Sequence, residues 1–228
     1  GLYLAIATLA AQFILEDFFA RARWFTGGVA GRITEPLTLF GYAFDREESY
    51  FYVVLFFVVV MFAAAANLMR TRDGRALVAV RDYYLSAEVM GINLAYYRTL
   101  SFGIASLYAG IGGALYAHYL LFVSVEAFNI LFSIQFLGMV IIGGLGSVSG
   151  SLMGAAFMVL LPEVVQGFAD LVSNSAIDRA LRIGGSISYL REMVLGATII
   201  LFLIFEPDGL AHRWRLIKAY WKLYPYSH

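Results

Sequence analysis

Apolar residues are gathered along the chain into six long runs, and shorter polar stretches separate them. Each run is close to the length of about 20 residues at which an α-helix crosses the hydrocarbon core of a bilayer. None shows the alternating pattern of about ten residues that is typical of membrane β-barrel strands. The pattern therefore predicts six spanning helices, at residues 2–20, 50–69, 99–122, 128–145, 151–169 and 189–206.

Helices are favoured because backbone groups inside a bilayer find no water, and a helix satisfies them within its own length. In the second run, ten of residues 51–62 are Val, Leu or Phe. Each contributes about 0.3 to 0.6 kcal/mol to insertion near a helix centre, so their sum of about 3 to 6 kcal/mol favours spanning. The predicted fold is all-α, a polytopic transmembrane helical bundle that forms one domain over residues 1–228.

The composition fits a chain whose main solvent is lipid. It is 61% apolar and 14% charged with a mean hydropathy of +0.76, whereas soluble domains are about 25% charged. Sixteen basic and sixteen acidic residues cancel, so no overall field attracts nucleic acid. Cysteine is absent, and His118, His212 and His228 are scattered without an HExxH zinc pair. We expect no catalytic residue, metal or cofactor in this chain.

Six alternating spans divide the polar stretches between the two sides of the membrane. One side would hold residues 21–49, 123–127 and 170–188, and the other residues 70–98, 146–150 and 207–228. The second set is richer in Lys and Arg. Because such loops tend to stay on the cytoplasmic side, residues 70–98 and the C-terminal tail are predicted to be cytoplasmic.

The polar stretch 70–98 is too long for a simple turn between two spans. Leu77, Val80, Tyr84 and Ala87 recur at intervals of three, four and three, which places them on one face of a helix. The spacing predicts an amphipathic helix at the membrane, ended near Gly91. Two interpretations remain open: a helix that merely lies among the headgroups, or one that docks a cytoplasmic protein.

Several motifs occur together and in order along nearly the whole chain. They are GLYLAIATLA at 1–10, TGG at 26–28, GRALVAVRDYYLSAEVMGINLAYYR at 74–98, SFGIASLYAGIGGALYAHY at 101–119, FLGMVIIGGLGSVSGSLMGA at 136–155 and FEPDGL at 205–210. The combination resembles the permease family of high-affinity branched-chain amino-acid ABC importers, of the LivM type. Members of that family have further spans before the first motif, and this chain enters an apolar run at Gly1 without a charged leader. We therefore expect a cut N-terminus rather than a signal peptide.

The resemblance implies a multi-pass subunit of the bacterial inner membrane that catalyses no covalent chemistry. It implies a second related permease, two cytoplasmic ATPases that bind ATP and Mg, and a periplasmic substrate-binding protein as partners. In such importers an EAA-like helix and a downstream Gly fit a cleft in the ATPase, and Ala87, Glu88 and Gly91 occupy comparable places. Arg81 and Asp82 precede them as further coupling candidates, although residues 82–84 depart from the more polar family pattern.

Glycines within and between the spans are candidates for close helix contact, because small residues let helix backbones approach in lipid. The structural glycines are predicted to be Gly27, Gly28, Gly113, Gly143, Gly144 and Gly146. The glycine run at 143–150 could be taken for a phosphate loop. No strand precedes it and no Lys follows the glycines, so a tight turn between two spans is favoured.

Polar side chains inside the spans are candidates for a substrate route, because such groups face protein or a water-filled cavity. Thr8, Gln12 and Gln135 are the first candidates, with interhelical hydrogen bonding as the alternative. Glu163, which follows Pro162, is expected to pair across the bundle or to line the pathway.

The sequence thus predicts a permease subunit that imports branched-chain or related amino acids by alternating access, driven by partner ATPases. A urea or short-amide permease of the same family shares these motifs and remains an alternative. An integral membrane enzyme would need a convergent set of nucleophile, base or metal ligands, and none is recognised in the sequence. A passive channel would need no coupling helix.

The absence of Cys allows a clean test of the predicted orientation with single cysteines. In intact cells we expect a membrane-impermeant thiol reagent to label Ser49→Cys and to leave Ser86→Cys unlabelled, because the two residues lie in loops assigned to opposite sides. The mass shift of each purified variant reports the labelling. Labelled Ser86→Cys together with protected Ser49→Cys would overturn the topology.

Overall fold

A computed structural model describes residues 2–39, 41–44, 46–173, 187–206 and 208–223. Helices dominate these residues, as the apolar runs predict. Contacts group the chain into two compact units, Gly1–Phe128 and Asn129–His228, here called unit 1 and unit 2.

The described residues of unit 1 form six helices joined by short turns and two-residue strands. In chain order they are α1 (Leu2–Arg21), α2 (Arg23–Thr26), β1 (Arg32–Ile33), β2 (Thr38–Leu39), β3 (Tyr42–Ala43), α3 (Glu47–Arg70), α4 (Arg72–Asp82), α5 (Tyr84–Val89), α6 (Leu94–Leu120) and β4 (Phe122–Val123). Two 3₁₀ turns, Gly28–Ala30 and Val125–Ala127, complete the unit. The strands form two antiparallel pairs, β1 with β4 and β2 with β3, so the loops carry short ladders that the sequence reading did not predict.

The described helices of unit 2 are α7 (Ile130–Gly143), α8 (Val148–Ser173), α9 (Ile187–Phe205) and α10 (Gly209–Leu223). Each of the six predicted spans coincides with a helix of unit 1 or of unit 2. Within the described residues, Glu47–Arg70, Leu94–Leu120 and Val148–Gly167 are long and apolar enough to cross a membrane. The helix α7 is apolar but only 14 residues long, about 21 Å, which is shorter than a hydrocarbon core of about 30 Å.

Two tyrosine hydroxyls join α3 to α6 in unit 1. Tyr50 donates to the backbone carbonyl of Leu115 over 2.6 Å, and Tyr108 donates to that of Met61 over 2.9 Å. Tyr50 is buried and its ring stacks on that of Tyr119. Hydrogen bonds between helices stabilise association in lipid, where water does not compete for the donors.

Close backbone contact joins α7 to α8 in unit 2. A Cβ on Gly143 would clash with the backbone of Gly150, and a Cβ on Gly154 would clash with the backbone of Met139 and Gly143. Beside this crossing, Ile142 is fully buried against Met158. Glycine is therefore required at this crossing for steric reasons. Ile142 and Met158 form the centre of the hydrophobic core of unit 2.

The glycines of α6 behave differently from those of α7 and α8. A Cβ built on Gly110, Gly112 or Gly113 meets no atom of the described residues within 4 Å. The close helix contact predicted for Gly113 is therefore not made within unit 1. The local sequence signal is the same in both places, and only the position of the neighbouring helix differs.

This contrast predicts unequal effects of matched glycine substitutions. Gly154→Leu should destabilise the protein, because an overpacked contact costs about 1 to 3 kcal/mol or more where the backbones cannot separate. Gly113→Leu, the matched control, should leave the thermal unfolding midpoint of the detergent-solubilised protein close to that of the wild type. Equal midpoints for the two variants, or a lower one for Gly113→Leu, would contradict the packing described for unit 2.

Candidate functional site

The candidate coupling segment consists of α4 and α5, and its start is fixed by a capped turn. Thr71 is the N-cap of α4, where its hydroxyl accepts a hydrogen bond from the backbone N–H of Gly74 over 3.1 Å. A Cβ on Gly74 would clash with the backbone of Leu68 and Met69. The chain therefore passes from α3 into α4 through a turn that only glycine fits at residue 74.

The segment is two helices rather than the single helix predicted from the sequence. Tyr83 separates them, with φ −144° and ψ 73°, outside the helical region. The predicted common face is therefore wrong: Ala87 is buried, whereas Tyr84 is half exposed. A break at one residue leaves the spacing of apolar residues unchanged, so periodicity alone does not detect it.

Arg81 and Asp82 end α4 as a pair rather than as two independent charges. The Arg81 Nε donates to an Asp82 carboxylate oxygen over 2.7 Å. This hydrogen bond lowers the pKa of Asp82 and raises that of Arg81. Both side chains are exposed, and exposed ion pairs contribute little to stability because water screens them. The two charges of the pair therefore cancel locally at an exposed position.

The second helix, α5, presents Glu88 and ends sharply. Ala87 is buried and anchors the helix, while Glu88 on the next position is exposed. The N–H of Ile92 donates to the carbonyl of Ala87, and that of Gly91 donates to the carbonyl of Glu88, which is the Schellman pattern of a helix end. Gly91 has φ +83°, which glycine adopts without strain.

Two contacts to α6 hold this segment, and sequence reasoning missed both. The Tyr97 hydroxyl donates to an Asp73 carboxylate oxygen over 3.0 Å. The Arg98 guanidinium lies over the Tyr84 ring, 5.8 Å from its centroid. Residues 73 and 97 are 24 positions apart in the chain, so no local spacing could have indicated the contact.

The predicted pathway residues fall in both units. Thr8 and Gln12 lie one turn apart on α1, and Gln12 is the more buried of the two. In unit 2, Gln135 on α7 and Glu163 on α8 are both exposed. Within the described residues Glu163 forms no ion pair, so the structure gives it no partner of the kind expected from the sequence. The role of these four residues stays a prediction.

A groove of about 830 Å³ lies along α3 and α6 in unit 1. Its lining is aromatic and apolar, with a carboxylate pair at one end: Glu47, Glu48, Tyr50, Phe51, Tyr52, Val54, Val58, Gly112, Leu115, Tyr116 and Tyr119. Neither Thr8 nor Gln12 lines it. The groove is therefore a feature that the sequence reading did not single out.

The remaining predicted glycines lie in turns with positive φ. Gly27 and Gly28 have φ +79° and +73° at the turn after α2, and Gly144 and Gly146 have φ +106° and +79° after α7. A Cβ on Gly144 would lie 2.6 Å from the carbonyl oxygen of Asp208. The turn after α7 is thus in backbone contact with the FEPDGL motif, and it is not a phosphate loop preceded by a strand.

A family model for the permease component of branched-chain amino acid transport systems matches residues 2–203. The chain belongs to this permease family. The match covers most of the chain and confirms the resemblance stated on the motifs.

Two curated relatives of the permease are both described as high-affinity branched-chain amino acid transport system permease protein LivM, from Salmonella typhimurium and from Escherichia coli K12. Each is 27% identical over 92% of this chain. The chain spans about half of their length, 51%. No solved structure matches the chain.

The contact between Asp73 and Tyr97 generates a prediction for the rigidity of the candidate coupling segment. Tyr97→Phe removes only the hydroxyl that donates to Asp73, so we expect faster amide hydrogen exchange in α4 and an unchanged rate in α8. Tyr96→Phe is the matched control, because Tyr96 is the exposed neighbour of Tyr97. Exchange measured by mass spectrometry that is equally fast in both variants would show that the hydroxyl does not hold α4.

Proposed function

We propose that this permease is a transmembrane subunit of a bacterial inner-membrane ABC importer for branched-chain or related amino acids. The family match over residues 2–203 is the observation that carries the proposal. The names of the two LivM relatives supply the substrate class. The proposed partners are a second related permease, two ATPases that bind ATP and Mg, and a periplasmic binding protein that delivers the substrate.

The proposed role of α4 and α5 is to pass ATP-driven closure of the ATPases to the spanning helices. Support comes from their connections: the capped turn at Thr71 joins them to α3, and Asp73 and Arg98 join them to α6. A displacement of α5 would therefore move both helices. Exposed Glu88 and the sharp exit at Gly91 give α5 a short, protruding shape that suits a cleft. This assignment requires α4 and α5 to be cytoplasmic.

The movement itself is proposed to be alternating access, in which rigid groups of helices rock around a site near the bilayer midplane. The tyrosine bonds between α3 and α6 and the glycine crossing of α7 and α8 are suited to such movement. Each holds two helices together, so that the two can move as one group. Thr8, Gln12, Gln135 and Glu163 are proposed as polar groups along the route.

Uptake by cells tests the proposed function directly. Deletion of the gene should reduce the uptake of radiolabelled leucine, isoleucine or valine from dilute solution, and a plasmid copy should restore it. Labelled urea and acetamide serve as controls, because a urea or short-amide permease of the same family is the alternative that shares these motifs. Amino-acid uptake that is unchanged while urea or acetamide uptake is lost would contradict the proposed substrate class.

Two substitutions in α5 and its exit test the coupling role. Glu88→Arg reverses a charge at the proposed ATPase surface, and Gly91→Val is incompatible with the left-handed backbone at residue 91. Loss of a charge pair buried at an interface costs about 2 to 5 kcal/mol, which weakens ATPase association about 30-fold or more. Membrane insertion should persist while stimulated ATP hydrolysis in reconstituted vesicles falls.

The matched control for the charge reversal is Glu47→Arg, at the opposite end of α3 from the segment. It should leave ATPase co-purification and stimulated hydrolysis unchanged. If Glu88→Arg and Gly91→Val both retain full ATPase association and full transport, then α5 is only an interfacial helix and the coupling role is wrong.

A further inference from the structure

The helix α10, Gly209–Leu223, is too short and too charged to be another span. Its 15 residues extend about 22 Å, less than the hydrocarbon core of about 30 Å. Arg213, Arg215 and Lys218 lie in its middle, where charges are costly in a bilayer. It therefore does not cross the bilayer and lies outside the hydrocarbon core.

An apolar stripe runs along α10, and two cations lie beside it. Leu210, Trp214, Ile217 and Trp221 recur at intervals of four, three and four, which makes a continuous apolar stripe. Arg215 and Lys218, three residues apart, lie together along one flank of this stripe. An apolar stripe that contains Trp and is flanked by Arg and Lys is typical of a helix at the membrane interface.

The apolar stripe begins in the core of unit 2 and continues outside it. Leu210 packs against the buried pair Ile142 and Met158. The side chains that follow along the same stripe are exposed: Trp214 is 57%, Ile217 50% and Trp221 77% accessible. No described part of the chain covers them. An apolar surface continuous with the packed core of a membrane protein is most simply covered by the lipid that surrounds that core.

The turn before α10 fixes where this helix starts. The Nε and Nη2 atoms of Arg213 donate to the two carboxylate oxygens of Glu206, over 2.6 Å each. Gly209 has φ +71°, and a Cβ there would clash with the backbone of Gly144. Arg213 is thus committed to Glu206, whereas Arg215 and Lys218 are exposed and form no ion pair with any described residue.

We propose that α10 lies in the plane of the membrane interface and binds anionic phospholipids. The side chains of Trp214, Ile217 and Trp221 enter the boundary between headgroups and acyl chains, where Trp is favoured. Arg215 and Lys218 face the phosphates of anionic headgroups. The occupant of the stripe is therefore the lipid surface, and the proposal does not depend on the substrate of the permease.

Tryptophan fluorescence of the full chain in vesicles tests this placement. The chain has three Trp residues, so Trp24→Phe with Trp221→Phe leaves Trp214 as the reporter, and Trp24→Phe with Trp214→Phe leaves Trp221. The vesicles contain phosphatidylcholine brominated at shallow or at deep positions, with or without phosphatidylglycerol. We expect both reporters to be quenched most by shallow bromines and little by aqueous iodide.

Charge reversal tests the role of the cations in the same vesicles. Each cation near an anionic surface contributes about 1 kcal/mol, which is about fivefold in membrane affinity. Arg215→Glu and Lys218→Glu should therefore each remove most of the additional quenching that phosphatidylglycerol produces. The conservative variants Arg215→Lys and Lys218→Arg should retain it.

Three results would contradict the proposal. If iodide quenches the two reporters and brominated lipid does not, the stripe faces water. If neither quencher reaches them, then protein covers the stripe, as a cytoplasmic partner or a second copy would. Quenching by lipid that is the same with and without phosphatidylglycerol would reject the headgroup contacts of Arg215 and Lys218.

Discussion

Lipid already solvates apolar side chains, so the helices of this permease gain little free energy by burying those side chains against each other. Association then depends on contacts that lipid cannot replace, namely close backbone approach and hydrogen bonds between helices. The described residues show both. Gly143, Gly150 and Gly154 bring α7 and α8 together in unit 2, and the hydroxyls of Tyr50 and Tyr108 join α3 to α6 in unit 1.

The same constraint explains why so few large side chains are buried. Among the described residues, the buried hydrophobic side chains are Ala22, Tyr50, Ala76, Ala87, Ile142, Met158 and Ala211. Four of these seven are alanines: Ala22 lies between α1 and α2, and Ala76, Ala87 and Ala211 lie within α4, α5 and α10. One of them, Ala87, anchors α5 while the neighbouring Glu88 is exposed. The proposed coupling role uses this arrangement, because a helix fixed on one side can transmit a push received on the other.

The helices and their approximate bounds could be predicted from the sequence because the length of an apolar run is a local property. The partners of each helix could not. Gly113 and Gly143 both lie in glycine-rich apolar helices, yet only Gly143 meets another backbone. The break at Tyr83 and the contact of Asp73 with Tyr97 also depend on how distant segments meet. For the candidate site, the position of the coupling segment and the helix end at Gly91 could be predicted from the sequence. The contacts that attach this segment to α6 could not.

Spin labels on α3 test most directly whether lipid covers these exposed helices. The helix Glu47–Arg70 is apolar, and the described residues bury no part of its most apolar stretch. The chain has no Cys that would have to be removed before labelling. Labels at Phe51→Cys, Val59→Cys and Met69→Cys report collisions with oxygen, which concentrates in lipid, and with a water-soluble nickel complex. The account predicts that Val59→Cys in vesicles collides most with oxygen and least with nickel. Nickel collisions at Val59→Cys as frequent as at the two helix ends would contradict it.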